Sequence, residues 1–156
     1  IIDILKKERI HVISSITFNS ELSLKKGNYS KAKPNKIDLF EIKKGKAYLN
    51  KLNAHNHVQG LVVRRGKVLI IETSRGTKNM LQAIKPDKRK NGILIKLPKL
   101  KQDLRIDLPT IGLDTLIDCQ KAGLKGIVLK HNKNIFLNKE KCIKFANKNK
   151  IFINII

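Results

Sequence analysis

Short apolar runs set the limits on what this chain can fold into. Gln59–Arg64 (QGLVVR), Lys67–Thr73 (KVLIIET), Ile93–Leu97 (ILIKL), Gly126–Lys130 (GIVLK) and Ile151–Ile156 (IFINII) are rich in β-branched residues and too short for buried helices. They read as strands. Arg65-Gly66 between the first two is a hairpin signal. Longer stretches with helical spacing lie between them: Ile37–Leu52, Lys78–Ile84, Leu113–Ala122 and Lys139–Asn147. Ile1–Arg9 resembles the tail of an amphipathic helix. Strands alternating with helices, plus a hairpin, define an α/β class with a mixed β-sheet and helices packed on it.

The punctuation supports this order. Asn35 is placed to cap the first long helix, with Asp38 in its first turn. Thr110 or Asp114 is expected to cap the helix Leu113–Ala122, and Gly123 to end it. Asn138 is expected to cap the last helix. Ile10–Ser14 (IHVIS) alternates like a short strand, and Asn134–Leu137 is another. Ser20–Lys36 is polar and reads as a long loop. His55-Asn56-His57 would share one face of a strand and suit a metal, but no acid or cysteine lies near in sequence to complete a site.

Charge bears on partners rather than on fold. The 156 residues suit one domain, and carry 34 Lys and Arg against 12 Asp and Glu, a net charge of +22. Such a surface attracts nucleic acid, anionic lipid or phosphorylated small molecules. Nucleic acid is the poorer fit: aromatic residues are 4% of the chain, too few for base stacking, and the lysines are spread along it. Part of the lysine, isoleucine and asparagine usage is also what an AT-rich genome produces. No apolar run approaches the ~20 residues of a membrane span. Cys119 and Cys142 fall within apolar helical segments and read as reduced, buried thiols. The chain opens on Ile1 in mid-helix pattern, so it reads as a fragment of a longer polypeptide.

The chemistry-bearing stretch is Lys96–Gly112, KLPKLKQDLRIDLPTIG. Asp103 and Asp107 are four apart on a loop after a strand, with Arg105 between them. Two carboxylates so placed can serve one hard cation whose other ligands are substrate phosphates. Arg105 can fork onto phosphate oxygens, and Lys96 and Lys99 add point charges. That assembly suits phosphoryl transfer to water. The other reading of the same spacing is a set of surface ion pairs. Upstream, Gly76-Thr77 at a turn before a helix is a weak anion-binding signal.

The full run resembles the signature of the LpxI-type UDP-2,3-diacylglucosamine pyrophosphatases, close to K-x-P-K-x-G-Q-D-x-R-x-D-L-P-T-I-G. Further segments agree in order: Val62–Glu72 with the family's hairpin ending in Glu, Ser74–Met80 with its E-G-T-D-x-M turn, and Ala122–Ile127 (AGLKGI) with its A-G-L-x-G-I segment. The match is strong over residues 59–156 and weaker over 1–58. The resemblance implies the C-terminal domain of a two-domain enzyme of lipid A biosynthesis, with the N-terminal domain missing here. It implies hydrolysis of UDP-2,3-diacylglucosamine to UMP and 2,3-diacylglucosamine 1-phosphate. It further implies Mg²⁺ or a similar divalent cation as cofactor, and a cytoplasmic location peripheral to the anionic inner membrane. Carried onto this sequence, Asp103 and Asp107 are the catalytic carboxylates, and with Glu72 the metal ligands. Lys96, Lys99, Gln102, Arg105, Thr110, Gly76 and Thr77 bind the nucleotide-sugar-lipid substrate. Four positions depart from the pattern: Arg75 and Lys78 stand where the family's turn has acids, and Lys101 and Val58 where it has Gly. The acid-to-base changes support an alternative, a degenerate member that binds lipid or nucleotide without hydrolysis. A basic nucleic-acid-binding module is a third reading.

Overall fold

The computed structural model describes residues 2–53, 58–100 and 102–156. His55 and His57 lie outside the described residues, as does Lys101. Helix α1 (Ile2–Lys7), a four-residue α2 (Ser15–Phe18) and a 3-10 turn (Ser20–Leu22) lead to strand β1 (Gly27–Asn28) and the long helix α3 (Lys36–Asn53). Strands β2 (Gly60–Arg64) and β3 (Lys67–Ile71) are followed by α4 (Gly76–Gln82) and β4 (Ile93–Lys96). Then come β5 (Thr110–Ile111), α5 (Leu113–Lys121) and β6 (Gly126–Leu129). The chain ends with β7 (Ile135–Phe136), α6 (Lys139–Lys148) and β8 (Phe152–Ile155).

Six strands form one mixed sheet in the order β1-β8-β6-β4-β2-β3, as the alternation of apolar runs and helices requires. The central strands β4, β6 and β8 are parallel, joined by crossovers that carry α5 and α6. The β2–β3 hairpin adds to one side antiparallel, and β1 to the other. Its turn is the one the sequence calls for: Arg65 and Gly66 both have positive φ, 52° and 70°, which suits a two-residue turn twisted with its strands. A second, two-stranded parallel sheet pairs β5 with β7.

The alternation along each central strand divides the core. Leu94, Ile127, Leu129, Ile153 and Ile155 point to one side and pack with Leu81, Leu116, Cys119 and Cys142 of the helices α4, α5 and α6. Ile93, Ile95, Val128 and Phe152 point to the other and meet Ile42 and Leu49 of α3. Lys96 shares the parity of Leu94, so it faces the α4 side. Both cysteines are free and buried, and burial pushes the Cys142 thiol up to about 11.

Helix ends follow local chemistry only in part: α4, α5 and α6 begin at Arg75, Gly112 and Asn138 without a side-chain cap bond. Asn35 caps α3 through its Oδ1, which accepts from the Asp38 amide at 2.9 Å, while Asp38 Oδ2 accepts from the Asn35 amide at 2.9 Å. Gly123, at φ 70°, closes α5. The cap of α5, however, is Gly112, with no side-chain bond; Thr110 is in β5, where its hydroxyl donates to Leu108 O. Ile10–Ser14 does not form a strand. Ile10 and Ile13 are half exposed, and no ladder reaches them, so their alternation has no sheet face to bury. The Ser20–Lys36 segment is loop apart from the 3-10 turn, Lys36, which opens α3, and β1, which pairs Gly27 with Ile155 and so edges the sheet.

Helix α3 lies close against the sheet at Gly45, where an added Cβ would run into Ile95 and Val63. Gly45→Val should therefore cost about 1–3 kcal/mol through overpacking, read as a lowered urea midpoint with unchanged slope. An unchanged midpoint would show that α3 does not rest on Ile95 and Val63 as described.

Candidate anion-binding site

Strand register brings the chemical groups to one edge. Lys96 ends β4 opposite Gly60 on one side and Leu129 on the other. Because β2 runs antiparallel, its first residues and the end of β3 fall at that same edge: the Glu72 amide donates to Gly60 O at 2.9 Å and the Leu97 amide to Gln59 O at 2.8 Å. The C-terminal edge of a parallel sheet is where α/β folds bind ligands. Here it presents Lys96, Glu72, Gln59 and the loops after β4 and β6.

Three side chains close on one another at this edge. Thr77 Oγ1 donates to Glu72 Oε1 at 2.5 Å, and Lys96 Nζ donates to the same oxygen at 3.2 Å and to Thr77 Oγ1. Side chains of Lys96 and Glu72 are each about nine-tenths buried. A charge so desolvated must be paired, and each satisfies the other. Glu72 Oε2 is buried with no hydrogen-bond partner among the described residues. The cleft above the triad measures about 320 Å³ and is lined mainly by polar residues; Ser74, Gly76 and Lys99 also line it. Neither Arg75 nor Lys78 lines it; both are exposed.

The aspartates are placed differently. Arg105 folds back on Asp103, its Nε donating to Oδ1 at 2.9 Å and its Nη2 to Oδ2 at 2.6 Å. This fork holds the Asp103 carboxyl down at about 2. The pair is exposed, so the ion-pair reading of the spacing describes its present state. Asp107 is exposed, its amide donating to Asp103 O. Gln102 orients by accepting from the Lys99 amide at 2.8 Å, and sits with Lys99 in a neighbouring cavity of about 260 Å³. The structure thus joins Lys96, Glu72, Thr77, Gly76 and Lys99 at one cleft. It sets Gln102 beside that cleft, pairs Asp103 with Arg105, and leaves Asp107 and Thr110 exposed.

These positions test the fit of a divalent cation. Among the described residues no group of three or more His, Cys, Asp or Glu is gathered to hold a metal. Glu72 Oε1 already accepts from an ammonium and a hydroxyl, and both Asp103 oxygens accept from Arg105. Glu72, Asp103 and Asp107 therefore do not fit Mg²⁺ as one ligand set in this arrangement. Sequence spacing missed the triad's internal bonding. The signal for it lies in register: a Glu just past β3 and a Lys ending β4 must meet once both strands pair with β2.

What such an edge accepts follows from charge. Buried ammonium, hydroxyl and surplus lysines favour phosphate-type anions over cations, and they sit at the strand edge of a mixed α/β domain. Its family is shown by comparison: the model of the LpxI C-terminal domain matches residues 25–154, and the chain belongs to that family. It is 30% identical over 161 residues to the UDP-2,3-diacylglucosamine pyrophosphatase LpxI of Caulobacter vibrioides, an alignment covering 98% of this chain. The chain spans 58% of that relative's length.

Two outcomes are expected. Lys96→Met leaves the Glu72 carboxylate buried and unpaired, so it should lose about 3 kcal/mol in chemical denaturation, and Lys96→Met with Glu72→Leu should recover most of it. A double variant no better than the single one contradicts a mutual pairing. Asp103 should titrate near 2 by carboxyl NMR and rise toward the ordinary range in Arg105→Gln. Its depressed value means the Asp103–Arg105 contact persists above the unfolded carboxyl range and is lost only as pH falls through about 2. An unmoved Asp103 signal in Arg105→Gln would remove the guanidinium as the cause.

Proposed function

We propose that this domain hydrolyses the pyrophosphate bond of UDP-2,3-diacylglucosamine to UMP and 2,3-diacylglucosamine 1-phosphate, a step of lipid A biosynthesis. The observation that carries the reading is the Lys96–Thr77 pair at the strand edge of a family member, beside Lys99. Lys96 and Lys99 hold the diphosphate, with Gly76, Thr77, Gln102 and Thr110 as further contacts. Arg105 exchanges partners: the arriving diphosphate takes its fork, and Asp103 is released. Asp103 and Asp107 then orient the attacking water and accept its proton. The water oxygen bonds to one phosphorus as the bridging P–O bond breaks, and the cations steady charge on the departing phosphate. Glu72 serves by holding Lys96.

Mg²⁺ or a similar divalent cation belongs to the proposal, carried chiefly by the diphosphate. So does work at the cytoplasmic surface of the inner membrane, where the chain's basic surface favours anionic lipid. The alternative of binding without hydrolysis drew on Arg75 and Lys78. Their exposure outside the cleft lining favours hydrolysis.

The test is UMP release from UDP-2,3-diacylglucosamine by the 156-residue chain with Mg²⁺, abolished by EDTA. Asp103→Ala and Asp107→Ala should each slow it roughly 100-fold or more. Unchanged rates in both would remove these residues from the chemistry. Substrate binding without release, with release gained on restoring acids at 75 and 78, would favour the alternative.

A further inference from the structure

Helix α3 shows solvent a face that neither the core nor the cleft uses. Its inward side rests on the sheet through Ile42 and Leu49. On its outward side Ile37, Phe40 and Tyr48 are 68%, 61% and 41% exposed. With about 3.6 residues per turn, they fall in one stripe with Lys44 and Lys51, and Lys43 borders it. The stripe runs about 21 Å along the helix. Single apolar side chains at a surface need no explanation, whereas a row of them along one helix face marks a surface that something covers.

The charge around the stripe says what covers it. The two acids of α3, Asp38 and Glu41, are turned inward, 3% and 2% exposed, and face Lys125. The outward side is left with lysines as its only charged residues. Lys43, Lys44 and Lys51 are in no ion pair among the described residues. Apolar side chains among unpaired lysines, on a helix lying flat against its domain, suit the headgroup region of an anionic bilayer. The ring and branched chains enter the acyl boundary, and the lysine stems carry their charges to the lipid phosphates. A second copy of this chain is a poor occupant. A two-fold contact through this face would set its lysines against their own copies, in a chain of net charge +22. Nucleic acid would use the lysines and leave Ile37 and Phe40 in water. None of the stripe residues lines the Lys96–Thr77 cleft or the cavity at Gln102. Lys46 and Asn50, on the adjoining flank of α3, do line that cavity, so a bilayer under the stripe lies next to the site without entering it.

We propose that the outward face of α3, Ile37, Phe40 and Tyr48 among Lys43, Lys44 and Lys51, docks the domain on an anionic bilayer surface. This deepens the membrane location given above and rests on that reading, but docking itself needs no turnover.

The chain contains no tryptophan, so Phe40→Trp supplies a single reporter. With vesicles of equimolar phosphatidylglycerol and phosphatidylcholine, its emission should shift to the blue and be quenched by brominated acyl chains. Leu137→Trp, beside the start of α6, should show neither change. In co-sedimentation, Ile37→Ser with Phe40→Ser should weaken binding to these vesicles about tenfold or more. Lys43→Gln, Lys44→Gln and Lys51→Gln together should weaken it about 100-fold. Lys141→Gln with Lys144→Gln on α6, across the sheet from α3, should stay within about threefold of the parent chain. All variants are compared at matched thermal stability. The proposal is overturned if phosphatidylcholine vesicles bind as well, if the Ser variant binds like the parent chain, or if the α6 lysines matter as much as those of α3. It is also overturned if the Ser variant converts a dimer of the free chain to a monomer, which gives the face to a second copy, or loses duplex binding instead, which gives it to nucleic acid. Docking as described without UMP release sinks hydrolysis and leaves the face; UMP release from detergent-dispersed substrate without vesicle binding does the opposite.

Discussion

The pairing of β4 with both of its neighbours is the constraint on which the rest depends. β2 runs antiparallel to it and β6 parallel, each with four residues in register. That arrangement sets Gly60, Lys96 and Leu129 in one row at the sheet edge. It also decides the face on which Lys96 emerges, because side chains alternate along a strand. A slip of one residue would carry Lys96 to the α3 side, away from Thr77 and Glu72, and would turn the core-facing leucines and isoleucines to the wrong layers. Core packing and the site are therefore specified by the same register.

Among the described residues, five of the twelve acids are engaged in ion pairs that position other groups. Asp38 and Glu41 on α3 turn inward to Lys125, and Glu41 also accepts from the Gly66 amide at 2.7 Å, tying the hairpin turn to α3. Asp87 pairs with Arg65, Glu72 with Lys96, and Asp103 with Arg105. With twelve acids against thirty-four bases, most lysines have no such partner to find. At the sheet edge this leaves Lys99, Lys130 and Lys133 facing cavities rather than carboxylates. The total charge says little about function, whereas its distribution at this edge says what the site attracts.

Local chemistry was legible in the sequence and long-range convergence was not. Arg65-Gly66, Asn35 and Gly123 act within a few residues, so their turn and caps could be read directly. Ile10–Ser14 carries a strand pattern that no neighbouring strand answers, since an alternation is only a strand when a ladder is available. The cap of α5 misled because Thr110 is engaged in β5 and Gly112, in extended backbone, enters the helix instead. The run Lys96–Gly112 identified the family from ordered residues. How its two aspartates stand, with Asp103 gripped by Arg105 and Asp107 exposed, depends on loop conformation that spacing does not encode.

The role of Glu72 follows from the same geometry. A carboxylate beside a phosphate pocket repels its ligand unless its charge is already spent. Glu72 Oε1 accepts from both Lys96 and Thr77, and Oε2 faces Gly60, where an added Cβ would stand 2.8 Å away. Glycine at that point lets the carboxylate lie flat against the strand edge. From there it fixes the Lys96 ammonium, and the remaining donor capacity of that ammonium is left for the cleft. A lysine so held presents its charge in one place at little further cost in side-chain freedom, which is the form of preorganisation that stabilises developing charge best. On the proposed reading, Glu72 thus serves an anion site by holding Lys96, without itself touching the anion.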